Sequence, residues 1–254
     1  MALRQALGYA LRSRPLGEAD LIVELYTHER GRVRAVAKSA RRIKSRFGSA
    51  FEPFTCSRFV YFQRDKDDLG RISSSDIERS YFETLAGVEE AGAAAYMAEL
   101  IIGFSPEHDP SPKLFRLIGA VLDALEAGVP VELAMRYFEA WVLRLAGLLP
   151  DLYHCGSCGE LLGEQLWVGD TSLEFLCKSS CAGTTGRRRL GVRSRALLAD
   201  IIARGPQAVG GADHSSQAQR ALAAVTEVLI CGHLDRMPRS LRYLRLMRRR
   251  LRAG

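Results

Sequence analysis

Apolar and polar positions alternate along the first eighty residues. In "ALGYALRSR" Leu7, Tyr9 and Leu11 share one face, and in "DLIVELYT" Leu21, Val23 and Leu25 do. In "GRVRAVAK" Val33, Ala35 and Ala37 oppose Arg32, Arg34 and Lys38. A period of two marks a strand with one face in a core. Turn residues separate the runs: Pro15-Leu16-Gly17, then Glu29-Arg30-Gly31. "SRFVYFQR" makes a fourth strand, apolar on both faces at its centre, and "LGRISSSDIERS" a weaker fifth. The acidic "DKDDLG" between them (65–70) reads as a hairpin turn. Five short strands with no helix between them predict a small barrel, of OB or SH3-like type, over residues 1–80.

From Tyr81 the period lengthens to that of a helix. "EEAGAAAYMAELIIGF", "SPKLFRLIGAVLDALEAG" and "PVELAMRYFEAWVLRLAGLLP" are three amphipathic runs. Ser111 and Pro112 stand at N-cap and N1 of the second, and Gly128 ends it. In the third, Tyr137, Phe138, Trp141, Val142 and Leu145 form an apolar stripe for a bundle core. A cysteine-bearing segment interrupts the helices, which resume in "SRALLADIIARG", "SSQAQRALAAVTEVLICGHL" and "RSLRYLRLMRRRLR". The expected fold is α+β: the barrel, then one all-α domain over 81–254 with an insertion at about 151–185.

Charge sharpens this division. The net charge is +7 over 254 residues. Residues 1–80 carry 16 Lys/Arg against 10 Asp/Glu, residues 81–149 carry 4 against 10, and residues 150–254 carry 16 against 9. Basic ends around an acidic middle imply modules with separate partners, and basic segments attract polyanions through counterion release. No apolar run is long enough for a membrane span. Arginines break every apolar stretch of the N-terminus, so a cytoplasmic chain with reduced thiols is expected.

The insertion holds four of the six cysteines: Cys155-Gly-Ser-Cys158, eighteen residues, then Cys177-Lys-Ser-Ser-Cys181. Two such pairs flanking "EQLWVGDTSLEFLC", a strand, a Gly169-Asp170 turn and a strand, match a zinc ribbon with all four thiolates as ligands. A C-x-x-C redox pair at Cys155 and Cys158 is the alternative; such pairs usually open a helix, whereas Pro150 and glycines surround this one. His154 and His233 are spare ligands. Cys56 and Cys231 lie in apolar runs and read as small buried hydrophobes.

Two further stretches carry charge. Lys38, Arg41, Arg42, Lys44 and Arg46 crowd nine residues leaving the third strand, with Arg32 and Arg34 on that strand's polar face. Phe47, Phe51 and Phe54 follow. Cations beside rings suit single-stranded nucleic acid, but these rings are expected to close the barrel's end, leaving the cations to hold phosphates. "GRRRLGVRSR" adds Arg187, Arg188, Arg189, Arg193 and Arg195 as possible further DNA contacts. On the last helix Leu241, Tyr243, Leu244, Met247 and Leu251 share one side, and Arg242, Arg245, Arg248, Arg249 and Arg252 the other. It reads as a docked end helix, with nucleic acid, a membrane surface or a partner helix as other readings. The chain lacks a P-loop, a G-x-G-x-x-G after a strand, H-E-x-x-H and G-x-S-x-G, so no enzyme is expected.

"SRPLGEADLIVELYTHERGRVRAVAKSARRIKSRFGSAFEPF" and "LRLAGLLPDLYHCGSCG", in the order barrel, helices, ribbon, helices, resemble the bacterial RecO family of recombination mediators. The resemblance implies an OB-fold, a helical domain with an embedded zinc ribbon, and one structural zinc per chain. It implies binding to single- and double-stranded DNA, strand annealing, and partnership with RecR, single-stranded-DNA-binding protein and RecA. A protein that is monomeric alone and associates with the nucleoid during repair is expected. The sequence departs from the family at Cys177–Cys181, C-x-x-x-C where many relatives have C-x-x-C. It departs again at Ser39, where a glycine is usual, implying a turn without positive φ. The family's helical domain can receive the acidic tail of the single-strand binder; here Lys113, Arg116 and Arg136 are the cations that would have to form its dock. A zinc-ribbon transcription-type factor reading a specific DNA site is the alternative function.

Overall fold

The structure is a computed structural model that describes residues 2–63, 69–164, 166–168, 174–177, 181 and 188–253. The expected turns at Asp65–Asp68 and Gly169-Asp170 lie outside these residues, as does Arg187. Contacts divide the chain into two compact units: residues 1–116 with 239–254, and residues 117–238.

The first unit is built on a closed barrel of β1 (Ala2–Leu16), β2 (Asp20–Thr27), β3 (Gly31–Ala37), β4 (Cys56–Gln63) and β5 (Gly70–Arg79). The order is β1-β2-β3-β5-β4, with β4 returning to β1. All neighbours are antiparallel except β3 and β5, which pair in parallel from Ala35–Gly70 to Ala37–Ile72. This is the strand order of an OB barrel, which decides between the two expected types.

Val23, Leu25, Val33, Ala35 and Ala37 face the core as the alternation predicts. In β1 the barrel takes the other face: Ala6 and Ala10 point inward. Tyr9 turns out of the barrel against the Phe115 ring, tilted by 41° (centroids 4.9 Å). A narrow barrel has room for alanine where rings enter from elsewhere, and Phe47, Ala50 and Phe51 of the β3–β4 connection fill that space against Phe59 and Tyr61. The first turn falls at 17–19, later than expected, because Pro15 and Leu16 still pair with Leu21 and Asp20. Gly31 is needed twice over. Its φ is +62°, and a Cβ there would stand 2.2 Å from the Asp109 carbonyl oxygen.

Two helices belong to this unit. α1 (Val88–Phe104) has an alanine face on which α7 (Arg239–Ala253) packs, Leu244 lying over Gly92. Glu99 of α1 accepts the amides of Arg239 and Ser240, capping the start of α7. Leu241 and Leu244 are buried, whereas Tyr243 turns outward, against the expected wheel, and Arg248 pairs with Glu89 (3.1 Å). Leu11, Phe82, Ala94, Ala98 and Arg239 contribute to a groove of about 720 Å³.

α2 (Pro112–Glu126) leads from the first unit to the second. Ser111 caps it by accepting the Leu114 amide (3.3 Å), and Gly128 ends it at φ +86°, both as the sequence predicts. The second unit packs α3 (Val131–Leu145), α4 (Val192–Ala203), the short α5 (Pro206–Gly210) and α6 (Ser216–Leu234). Trp141 donates to the Ile201 carbonyl and Tyr137 to that of Arg204. Arg136, Glu139 and Thr226 form a buried polar cluster: Arg136 Nη2 donates to Glu139 Oε1 at 2.7 Å, and the Thr226 hydroxyl to Glu139 Oε2 at 2.5 Å. The inserted segment forms a sheet of order β7-β6-β8 from β6 (Leu166–Val168), β7 (Phe175–Leu176) and β8 (Arg188–Leu190). The sequence pattern foresees the first two strands and misses the third. No helix among the described residues is long and apolar enough to cross a membrane.

Candidate nucleic-acid interface and metal centre

The β3–β4 connection is anchored at both ends. At its start Ser39 donates its amide to Asp20 Oδ1 (2.7 Å) and sits at φ +58°. This corrects the expectation that serine signals a turn without positive φ: the backbone enters the left-handed region regardless, held there by the aspartate. Arg41 follows, its amide on the Ala19 carbonyl and its guanidinium on the carbonyls of Gly17 and Glu18. A turn closes from the Ser45 amide to the Arg42 carbonyl (2.9 Å). The chain then enters the barrel at Phe47, over whose ring Arg46 lies at 4.9 Å. Phe47, Phe51 and Phe54 are buried, as expected.

The seven cations of the barrel separate into groups. Arg32 and Arg34 meet Glu107 at 3.4 and 2.9 Å, and Arg32 also donates to the Ser105 carbonyl. They brace the segment after α1 against β3. Arg41 and Arg46 are exposed but engaged, Arg41 on the Gly17 and Glu18 carbonyls of the β1–β2 turn and Arg46 over the Phe47 ring. The side chains of Lys38, Arg42 and Lys44 are exposed and make no polar contact among the described residues. The loop thus presents three unengaged cations and two partly engaged ones on a fixed scaffold.

In the second unit Cys155–Gly159 forms a tight knuckle. Cys155 donates its amide to the Glu160 carbonyl (2.8 Å), and Gly159, at φ +72°, donates to that of Cys155 (2.9 Å). Gly156 donates to the Phe175 carbonyl, joining this knuckle to the strand that leads into Cys177. The four Sγ atoms lie within 4.8 Å of one another. Cys158 and Cys177 are 3.6 Å apart, and Cys177 and Cys181 3.7 Å. Tetrahedral zinc with Zn–S of about 2.3 Å sets its sulfurs about 3.8 Å apart, so the donor set fits that ion. The longer Cys177–Cys181 spacing does not take Cys181 out of the cluster.

The thiols differ in acidity. Burial pushes Cys155 up, but amide hydrogen bonds, including the Cys177 N–H at 3.4 Å, outweigh it and bring its pKa to about 6. Cys177 is pushed up to about 12 by burial and by the neighbouring thiols. Crowded sulfurs cannot all ionise unless a cation joins them. The most acidic thiol is also the buried one, and it opens a turn rather than a helix, unlike an accessible redox nucleophile. His154 binds Asp151 (3.0 Å) rather than the thiols. Cys56 is buried, with its thiol raised to about 11 by desolvation; Cys231 is partly buried.

The second basic stretch is dispersed. Arg195 donates to the carbonyls of Leu152, Leu162 and Gly163, fastening the segments on either side of the knuckle to α4, a role no local pattern announces. Arg189 and Arg193 are exposed, and Arg188 lies in β8 with its side chain outside the described set. In the acidic segment Lys113 and Arg116 are exposed, but Arg136 is buried on Glu139 and forms no part of a surface dock.

The fold and site define a two-part protein: an OB barrel with a braced basic loop, and a helical unit carrying a four-thiol cluster. Comparison with known proteins gives the family. Residues 1–81 match the model described as Recombination protein O N terminal, and residues 88–242 match Recombination protein O C terminal. The chain is 37% identical over 204 residues to the DNA repair protein RecO of Koribacter versatilis, covering 80% of this chain and 82% of that one. It is 35% identical over 229 residues to that of Geobacter metallireducens (90% and 91%). It is 41% identical over 157 residues to that of an Anaeromyxobacter species (62% of each). The chain belongs to the RecO family, with a role in DNA repair and recombination.

Proposed function

We propose that the protein is a non-enzymatic recombination mediator that binds single- and double-stranded DNA without sequence preference and anneals complementary strands. With RecR it helps displace single-stranded-DNA-binding protein so that RecA can load, in the bacterial cytoplasm and on the nucleoid. The observation that carries this reading is the exposed trio Lys38, Arg42 and Lys44 on the barrel of a RecO-family chain. Arg41 and Arg46 add charge beside it. Arg189 and Arg193 form a possible second contact. Zinc is the ion assigned to Cys155, Cys158, Cys177 and Cys181, where it would cross-link the two cysteine pairs.

Binding of single-stranded DNA measured across salt concentrations tests the loop. Each phosphate contact removed flattens the log–log slope by about 0.7. Charge reversal at Arg42 and Lys44 is expected to lower both affinity and slope. Unchanged values would place the DNA site elsewhere. Equal affinity for random and selected duplexes distinguishes a mediator from a factor that reads a site.

A further inference from the structure

The rings of the basic loop are spent on the barrel core, so they are not available to stack on bases. One apolar side chain of the loop is not spent. Ile43 stands between Arg42 and Lys44 with a relative exposure of 105%, the highest among the large apolar residues described; Leu161, next, has 76%. It occupies a central position of the turn closed by the Ser45 amide and the Arg42 carbonyl. The turn is held before it by Arg41 on the Gly17 and Glu18 carbonyls and after it by Phe47 in the core. An isolated exposed aliphatic residue usually needs no explanation. This one is displayed by a braced turn within a run of five cations in nine residues.

We propose that Ile43 is a base-contacting residue. Its branched side chain lies on the face of an unstacked base while Lys38, Arg42 and Lys44 hold the flanking phosphates. This rests on the reading of the loop as a DNA-binding surface. The chemistry selects the ligand. A partner must offer closely spaced anions around an apolar surface, and a single strand offers both, phosphates outside and base faces between them. An aliphatic group has no donor or acceptor, so it reads no base edge and adds affinity without sequence preference. In a duplex the base faces are covered by their neighbours, and reaching them means prising a step apart. Ile43 therefore favours single strands over duplexes.

The test uses full-length protein and fluorescence anisotropy with two probes of equal length and charge: a thymidine oligonucleotide and an abasic oligonucleotide. Ile43→Ala is expected to weaken binding to the base-bearing strand roughly three- to tenfold. Abasic binding, the salt slope and the melting temperature stay as in the wild type. Equal binding of wild type and Ile43→Ala to the base-bearing strand overturns the proposal, and so does an equal loss on both probes. Arg42→Ala and Lys44→Ala run in parallel separate the two levels. If they leave the salt slope unchanged, the loop reading falls and this inference with it. If they flatten the slope while Ile43→Ala changes nothing, only the base contact is lost.

Discussion

Ser39 and Glu139 each occupy an energetically costly environment. Ser39 keeps a left-handed backbone at a cost of roughly 1–2 kcal/mol for a residue with a Cβ. Glycine removes that cost and returns about half of it as lost chain freedom. Ser39→Gly is therefore expected to raise stability by about 0.5–1 kcal/mol, seen as a melting temperature a few degrees higher, with the Asp20 hydrogen bond intact. Glu139 is fully buried beside Arg136. Glu139→Leu alone strands a buried guanidinium and is expected to cost about 3–5 kcal/mol in denaturant unfolding. Adding Arg136→Met should recover most of that loss. If the double variant is as unstable as the single, the cluster matters through its shape rather than its charge.

Among the elements, the cysteine segment has the sharpest pH behaviour. With Cys155 near 6 and Cys177 near 12, the metal-free cluster at pH 7 holds Cys155 as thiolate and Cys177 as thiol. Metal must expel the Cys177 proton, so protons and zinc compete and affinity rises with pH. The expected outcome is one zinc per chain, proton release on adding zinc to apoprotein at neutral pH, and loss of zinc on acidification. Titration in buffers of different ionisation enthalpy measures the protons. Periodicity and spacing made most of these elements legible: five barrel strands, the Ser111 and Gly128 boundaries of α2, and both cysteine pairs. Other features depend on residues far apart in sequence. Glu107 reaches back to Arg32 and Arg34 across more than seventy positions, and Arg195 reaches the Leu152 and Leu162 carbonyls beside the knuckle across more than thirty. β8 is three residues long, too short to show a period. A polar face on β3 was visible in the sequence; whether its cations were free or already paired was not.

At the scale of the whole molecule, the division by contact is not the division by sequence. The barrel was legible as one module and the helices as another, yet α1 and α7 gather with the barrel. α7 gives that unit Leu241 and Leu244, and burying each is worth about 1.5–3 kcal/mol. Leu244→Asp is expected to destabilise the first unit by about 3 kcal/mol or more and to speed proteolysis within residues 1–116, while tryptophan fluorescence from Trp141 and Trp167 in the second unit persists to higher denaturant. Simultaneous loss of both signals would mean the units unfold together. The same return of α7 carries a consequence for synthesis. The ribosome makes the barrel and α1 first, then about 120 residues of the second unit, and only then the helix that covers Gly92. At roughly 5–20 residues per second, the alanine face of α1 stays bare for roughly 6–24 s on every nascent chain. The unit begun first is the last to be finished.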